Sequence, residues 1–176
     1  AVREGDVRVV WDGKETNYDR LPSPEQIVIN PDADYVHFTS NETIQGVQFH
    51  TEPSSDQVPL VCDASSDFLH RPLAIQKYGL IYACAQKNLG PAGVTVVLIR
   101  EDLLGRSSDR LHGYLSYREH SNHDSLYNTP PAFGVYAVGL VARWLLDEVG
   151  GLDQMERMNR EQASLVYDIL DQSDGF

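Results

Sequence analysis

Two residues of opposite charge, Asp63 and Lys87, each follow an apolar run typical of a buried strand, "PLVCD" and "LIYACA". The 23 residues between them leave room for a crossover segment and the second strand. If the two strands are parallel, a right-handed crossover brings both carboxyl ends to the same edge of the sheet. Ligands of open α/β sheets bind at that edge. The spacing therefore predicts that a carboxylate and an amine share one crevice.

Two interpretations fit this pair of side chains. The first is a structural ion pair, or two solvated residues at strand ends. The second is a pyridoxal phosphate (PLP) site, in which a lysine amine condenses with the cofactor aldehyde and a carboxylate holds the protonated pyridine nitrogen. Desolvation and neighbouring cationic character would favour the free amine that this chemistry needs. Spacing alone leaves both interpretations open.

The elements that must position these residues form an α/β pattern. Short apolar runs alternate with turn residues between positions 35 and 100: "YVHFT", "GVQFH", "PLVCDAS", "GLIYACA" and "GVTVVLIR". The later runs are almost continuously apolar, which is typical of strands covered on both faces by helices. A further short strand is predicted at Val7–Trp11. The pattern predicts a three-layer α/β fold with a mainly parallel sheet flanked by helices.

Two helices are predicted near the C-terminus. The first, "PAFGVYAVGLVARWLLDEV", is apolar nearly all round and is expected to be deeply buried, ending at Gly150 and Gly151. The second has apolar residues at three- and four-residue spacing between Met155 and Leu170, with charges opposite, which indicates an amphipathic helix. Trp11 and Trp144 are expected in the core.

Composition excludes some classes of function. Fourteen basic and 26 acidic residues give a net charge of −12, which argues against nucleic-acid and membrane partners because both need basic patches. Cys62 and Cys84 lie in apolar runs, which favours free thiols in a reducing cytoplasm over a disulfide framework. His120 and His123 lie in a polar, loop-like segment without other evident ligands, so we expect no metal site.

Longer motifs surround the Asp63 and Lys87 pair. They are "NETIQGVQF" (41–49), "CDASSDFLHRP" (62–72), "YGLIYACAQKNLGPAGVTVVLIREDLLG" (78–105), "SLYNTPPAFGVYAVGLVARWL" (125–145) and the segment 150–176. Together they resemble the phosphoserine aminotransferase family, collinearly over about four-fifths of the chain. The resemblance implies a fold-type I, PLP-dependent homodimer of serine biosynthesis. Such enzymes exchange an amino group between glutamate and 3-phosphohydroxypyruvate, giving O-phosphoserine and 2-oxoglutarate.

The resemblance also implies roles for residues of this sequence. Lys87 matches the catalytic lysine that is joined to the cofactor, and Asp63 matches the partner of the pyridine nitrogen. Thr43 matches the residue that hydrogen-bonds the cofactor 3-hydroxyl, and Gln86 matches a ligand of the cofactor phosphate.

Two further residues, Asn128 and Thr129 of "YNTPP", match groups that reach the cofactor phosphate of the neighbouring subunit. Ser65 and Ser66 have an alternative interpretation as helix N-caps. Cys84 stands where the family commonly has glycine, and it is expected to touch none of the residues assigned to chemistry.

The motifs cover only part of that family's pattern. Residues 1–176 are expected to be part of the PLP-binding large domain, without the family's glycine-rich phosphate loop or its small C-terminal domain. The substrate-binding arginines are expected outside this chain, so its sequence does not give substrate preference. Two alternatives stay open: a PLP enzyme with another substrate, such as a cysteine desulfurase-like enzyme, and a non-catalytic fragment or assembly module. We expect the isolated chain to be inactive.

Overall fold

The structure, a computed structural model, describes residue 3 and residues 5–55 and 57–173. Within these residues, six strands form two sheets. The strands are β1 (Val36–Thr39), β2 (Asn41–Glu42), β3 (Val47–Gln48), β4 (Leu60–Asp63), β5 (Tyr78–Cys84) and β6 (Thr95–Ile99). All five apolar runs between positions 35 and 100 contain a strand, as the sequence predicts.

The main sheet has the order β1-β4-β5-β6, and β2 pairs with β3 in a small antiparallel hairpin. Strands β1 and β4 are parallel, as are β4 and β5, whereas β6 is antiparallel to β5. The connection from β5 to β6 spans only Ala85 to Val94, which is too short for the crossover that a parallel pair needs. The predicted α/β class with a mainly parallel sheet is confirmed, with one antiparallel edge strand.

The hydrophobic core lies against one face of β4 and β5. Leu60, Cys62 and Ile81 are almost completely buried, and they pack with Ala64 and Tyr78. Burial alternates along β4, so Asp63 leaves the core and stands on the other face. Because burial alternates, the Asp63 side chain at the end of β4 is available to form part of a site.

Helices flank the sheet. They are α1 (Glu101–Leu104), α2 (Tyr117–Asn122), α3 (Ala132–Trp144) and α4 (Leu152–Gln172), with short 3-10 helices at Gly13–Thr16, Pro24–Gln26, Ile75–Lys77 and Gly113–Leu115. A π-helical turn, Leu145–Val149, extends α3 to Gly150 and Gly151, whose φ angles of 88° and 96° suit glycine. Both predicted helices are therefore confirmed, as is the stop between them. In the described part of the chain, none of the helices combines the length and apolar character needed to cross a bilayer.

Three expectations about the fold are wrong. Val7–Trp11 forms no strand, since no neighbouring segment pairs with it among the described residues. Helix α3 is not deeply buried: Phe133 is 77% exposed and Trp144, expected in the core, is 49% exposed. The physical reason is that α3 rests on the rest of the chain along one side only, where Gly134 is buried.

Candidate active site

The predicted meeting of Asp63 and Lys87 occurs at the carboxyl edge of the parallel strands. Both side chains line a cavity of about 310 Å³, which Thr43 and Gln86 also line. Four of the six residues that the sequence singles out therefore share one cavity. The turn between β2 and β3 forms one wall, and the ends of β4 and β5 form the others.

The Asp63 carboxylate is anchored by the turn that follows β4. The backbone N–H of Ser65 donates to Asp63 Oδ1 at 2.9 Å, and the Ser65 hydroxyl accepts from the backbone N–H of Cys84 at 3.1 Å. Ser65 thus ties the acid to the end of the neighbouring strand. Its interpretation as a helix N-cap is wrong, because residues 65–69 form a turn and no helix begins there.

Lys87 lies on a tight turn that closes immediately after β5. The backbone N–H of Ala85 donates to the carbonyl of Val94 at 2.9 Å, and that of Leu89 donates to the carbonyl of Ala85 at 3.1 Å. Ala85 and Leu89 are buried, whereas Gln86 and Lys87 between them are exposed. Two apolar anchors therefore hold the turn to the core and present the lysine outward, so its charge is not desolvated in the sheet.

A hydrogen bond of the Asn88 side chain also stabilises the Lys87 turn. Its side-chain amide donates to the carbonyl of Phe68 at 3.1 Å. Phe68 packs against the core cluster from the segment after β4. The turn after β4, which contains Ser65, is thus connected to the turn that contains Lys87.

Thr43 is held by the hairpin of β2 and β3. The backbone N–H of Gly46 donates to the carbonyl of Glu42 at 2.9 Å, and Gly46 adopts a φ of 70°, which glycine tolerates best. The amide of Asn41 donates to the Ser66 hydroxyl at 2.9 Å, and that hydroxyl donates to the carbonyl of Asn41 at 2.8 Å. This reciprocal pair fixes the hairpin against the turn after β4.

Beneath the cavity lies a buried polar network that the sequence does not reveal. Ser40 donates to the Asp67 carboxylate, and its hydroxyl also lies 3.1 Å from the carbonyl oxygen of Asp63. The amide of Gln48 donates to Asp67 Oδ2 at 2.9 Å. Asp67 is thereby satisfied by two donors, as a buried carboxylate must be. The network joins the ends of β1, β3 and β4 into one support.

The two cysteines occupy different environments. Burial raises the pKa of Cys62 to about 12, so this thiol stays protonated at neutral pH. Cys84 is only partly buried and lines the cavity beside Lys87. Cys84 therefore shares the cavity with the predicted site residues, and the expectation that it touches none of them stays a prediction.

The remaining two predicted residues, Asn128 and Thr129, do not line this cavity. Both are exposed in the segment between α2 and α3, where the Asn128 amide donates to the carbonyl of Thr129 at 3.3 Å. Their role toward a neighbouring subunit stays a prediction. In the described residues, no three His, Cys, Asp or Glu side chains are grouped to hold a metal ion.

Comparison with known proteins places this geometry in a family. The sequence profile of class-V aminotransferases matches residues 2–176. The chain belongs to the class-V aminotransferase family. Its relatives include the phosphoserine aminotransferase of Rhodopirellula baltica, which is 55% identical over 177 residues, covering 100% of this chain and 47% of that protein.

Solved structures of phosphoserine aminotransferases agree with the fold. The phosphoserine aminotransferase of Bacillus circulans subsp. alkalophilus aligns with a TM-score of 0.94 and 49% identity, over 98% of this chain and 47% of that one. A PLP-bound phosphoserine aminotransferase from Trichomonas vaginalis aligns with a TM-score of 0.83 and 39% identity, over 89% of this chain and 46% of that one. The chain thus spans about half the length of the curated relatives that it matches.

Proposed function

We propose that this chain is part of the PLP-binding large domain of an aminotransferase that exchanges an amino group between glutamate and 3-phosphohydroxypyruvate. The observation that carries the proposal is the convergence of Asp63, Lys87, Thr43 and Gln86 on one cavity. Similarity to phosphoserine aminotransferases over the whole chain supports the choice of substrates.

The chemistry of the donor set fits PLP. A bound PLP ring supplies an electron sink for the reacting carbon. Lys87 is presented on an exposed turn and offers the amine that would hold the cofactor aldehyde. Asp63, fixed by the Ser65 N–H, would keep the proton on the ring nitrogen.

Neutral donors complete the set. The Thr43 hydroxyl would hold the cofactor hydroxyl, and the Gln86 amide would bind its phosphate. Several short neutral donors together with charge suit a phosphate group. These side chains come from separate strand ends, so the fold sets their spacing before any ligand arrives.

A shared site in a homodimer is part of the proposal. Asn128 and Thr129 lie outside the cavity of their own chain, and both are exposed. This placement suits groups that reach the cofactor phosphate of a neighbouring subunit. Both cysteines are free thiols, which suits a reducing cytoplasmic location.

The cysteine desulfurase-like alternative has less support. Such an enzyme needs a catalytic cysteine on a mobile loop, whereas Cys62 and Cys84 both belong to strands of the main sheet. A cysteine desulfurase from Thermococcus onnurineus aligns at 19% identity and shares the fold alone.

The proposal is tested on the full natural polypeptide that contains this chain. Incubation with PLP, reduction with borohydride and peptide mapping should locate the fixed cofactor on Lys87. Glutamate should convert the loaded protein to its amine form, and 3-phosphohydroxypyruvate should reverse the change. Lys87→Ala should abolish both conversions, whereas Lys77→Ala, at an exposed lysine paired with Glu52, should retain them. A cofactor fixed on another lysine, or full conversion by Lys87→Ala, would overturn the proposal.

A further inference from the structure

The loop between α2 and α3 begins with a chain reversal at the end of α2. The backbone N–H of Ser125 donates to the carbonyl of His120 at 2.8 Å, and that of Leu126 donates to the carbonyl of His123 at 2.8 Å. Asp124 and Ser125 adopt positive φ angles of 50° and 63°, a region that residues other than glycine seldom occupy. Such conformations persist only where the surrounding structure holds them. Here the hydrogen bonds to the end of α2 hold the reversal.

The Tyr127 ring, directly after the reversal, packs against the same two histidines. Its centroid lies 6.1 Å from that of His120 and 5.4 Å from that of His123, with both interplanar angles 72°. Aromatic pairs favour this edge-to-face arrangement. Nε2 of His120 donates to the carbonyl of Tyr114 at 2.9 Å. Nδ1 of His123 donates to the carbonyl of Glu119 at 2.8 Å. A carbonyl only accepts, so these nitrogens carry protons and each histidine ring is fixed in orientation.

Gly113 leaves room for the hydroxyl end of the Tyr127 ring. A Cβ at Gly113 would come 2.6 Å from Cζ of Tyr127, and the three atoms nearest to that Cβ all belong to this side chain. Carbon atoms make optimal contact at about 3.5–4.0 Å, so any larger residue at position 113 would displace the ring. The ring therefore lies against the two histidines of α2 and its end, and against the backbone of Gly113.

Two prolines restrict the other end of the loop. Pro130 and Pro131 follow Thr129 directly and immediately precede α3. Proline fixes its own φ near −65° and disfavours a helical conformation of the residue before it. Asn128 and Thr129 are exposed, and they lie between the packed ring of Tyr127 and this stiff entry to α3.

We propose that Tyr127 is a positioning residue, which sets the backbone of Asn128 and Thr129 so that their side chains reach the cofactor phosphate of the neighbouring subunit. The inference rests on the proposed function. Asparagine and threonine have short side chains, so their reach depends on where the backbone lies. A packed ring next to them restricts the loop to one conformation. Groups that are held in place before binding lose less conformational freedom when they take up a ligand.

The first experiment measures PLP affinity by titrating the apo form of the full natural polypeptide. Tyr127→Ala should weaken binding by about 3- to 10-fold, on the scale of one edge-to-face aromatic contact. Tyr127→Phe keeps the ring and should retain most of the affinity. Equal affinity of Tyr127→Ala and wild type would overturn the inference. A loss in Tyr127→Phe as large as in Tyr127→Ala would also overturn it, because the ring would then not be the group that acts.

Gly113 provides a second and independent variant. Gly113→Ala should displace the ring and weaken PLP binding, whereas Gly105→Ala is the matched control, since its Cβ would meet only the carbonyl of Asp102 at an ordinary 3.5 Å. In a Tyr127→Ala background, Gly113→Ala should have no further effect, because the ring that it displaces is gone. A further loss as large as in the wild-type background would overturn the inference. If Tyr127→Ala fails to fold, Gly113→Ala and Gly105→Ala decide, and equal PLP affinity of these two would overturn it.

Mixed dimers test whether Tyr127 acts on the neighbouring site. Tyr127→Ala subunits are mixed with Lys87→Ala subunits, at a PLP concentration that leaves the Tyr127→Ala protein mostly unloaded. Transamination should partly recover, because one site then combines the lysine of one subunit with the tyrosine of the other. A tyrosine needed only within its own subunit would give no recovery.

The Asn128→Ala/Thr129→Ala double variant, mixed with Lys87→Ala in the same way, is the reference for this experiment. Recovery with the double variant but not with Tyr127→Ala would overturn the inference alone. Absence of recovery with the double variant, despite proven subunit exchange, would instead refute the shared site of the proposed function. The two failures are therefore distinguishable.

Discussion

Gly134, at the start of α3, supports the turn that carries Lys87, and its replacement by alanine tests this. A Cβ at Gly134 would lie 2.8 Å from Cγ2 of Val94, in the connection that follows the lysine. Carbon atoms make optimal contact at about 3.5–4.0 Å, so the neighbours would have to separate by roughly 0.7 Å. Val94 is β-branched and stiff, which limits relief by rotation.

The expected magnitude follows from two opposing effects. Replacing glycine within a helix by alanine gains up to about 1 kcal/mol in helix propensity. Overpacking a tight contact costs about 1–3 kcal/mol. The net expectation for Gly134→Ala is a loss of about 1 kcal/mol of unfolding free energy. At Gly139, in the same helix, an added Cβ meets no atom within 4 Å, so Gly139→Ala should gain up to about 1 kcal/mol.

The assay is urea or thermal unfolding of the two variants and the wild-type protein in the full natural polypeptide. The two alanine variants should differ by about 2 kcal/mol, with Gly139→Ala the more stable. Gly134→Ala should also weaken PLP binding, because Val94 accepts the hydrogen bond that starts the Lys87 turn. Equal unfolding free energies of the two variants would show that the contact between α3 and this turn leaves no less room at Gly134 than at Gly139.

Three further predictions concern the site, the dimer and acid stability. Asp63→Asn should lower the rate of transamination by orders of magnitude, each tenfold being about 1.4 kcal/mol of barrier; a rate near wild type would show that its role is misassigned. Mixing Lys87→Ala subunits with an Asn128→Ala/Thr129→Ala double variant should partly restore activity, since both changes fall in one site of a mixed dimer and the other site stays intact. If activity does not recover although subunits are proven to exchange, the site lies within one chain. Burial opposes ionisation of Glu52, but hydrogen bonds and two neighbouring cations outweigh it and lower its pKa below the ordinary 4.5. Ionised Glu52 therefore stabilises the fold fully above pH 4.5, and this stabilisation is lost as the pH falls through the lowered pKa. The difference in unfolding free energy between wild type and Glu52→Gln should shrink in acid. A difference that persists in acid would contradict this prediction.

Strands were predictable because their apolar runs are local signals. Nearly continuous apolar runs indicated β4 and β5, and turn residues separated the runs. Val7–Trp11 carried the same local signal but forms no strand, since pairing depends on a neighbour that the local sequence does not specify. The antiparallel direction of β6 followed from the shortness of its connection, a cue that was present in the sequence.

Parts of the candidate site were predictable for two different reasons. Asp63 and Lys87 follow from the rule that parallel strands end on one edge, whereas Thr43 and Gln86 were assigned only by resemblance. The hydrogen bond between the Tyr82 hydroxyl and Nε2 of His37 was not predictable, because a register shift between β4 and β5 decides which face the Tyr82 ring occupies. A shift of one residue reverses every side chain beyond it.

Helix α3 shows how a distant apolar segment contributes to a polar site. An added Cβ at Gly90, which closes the Lys87 turn, would come 3.1 Å from Val138 of α3. An added Cβ at Gly134 of α3 would come 2.8 Å from Val94 on the other side of the turn. Because glycine has no Cβ, α3 packs closely against both ends of the Lys87 turn at these two positions. The apolar sequence of α3 predicted deep burial, which is wrong, because the helix packs closely only along this side. The turn that carries Lys87 is therefore packed against α3, at Gly90 and at Val94.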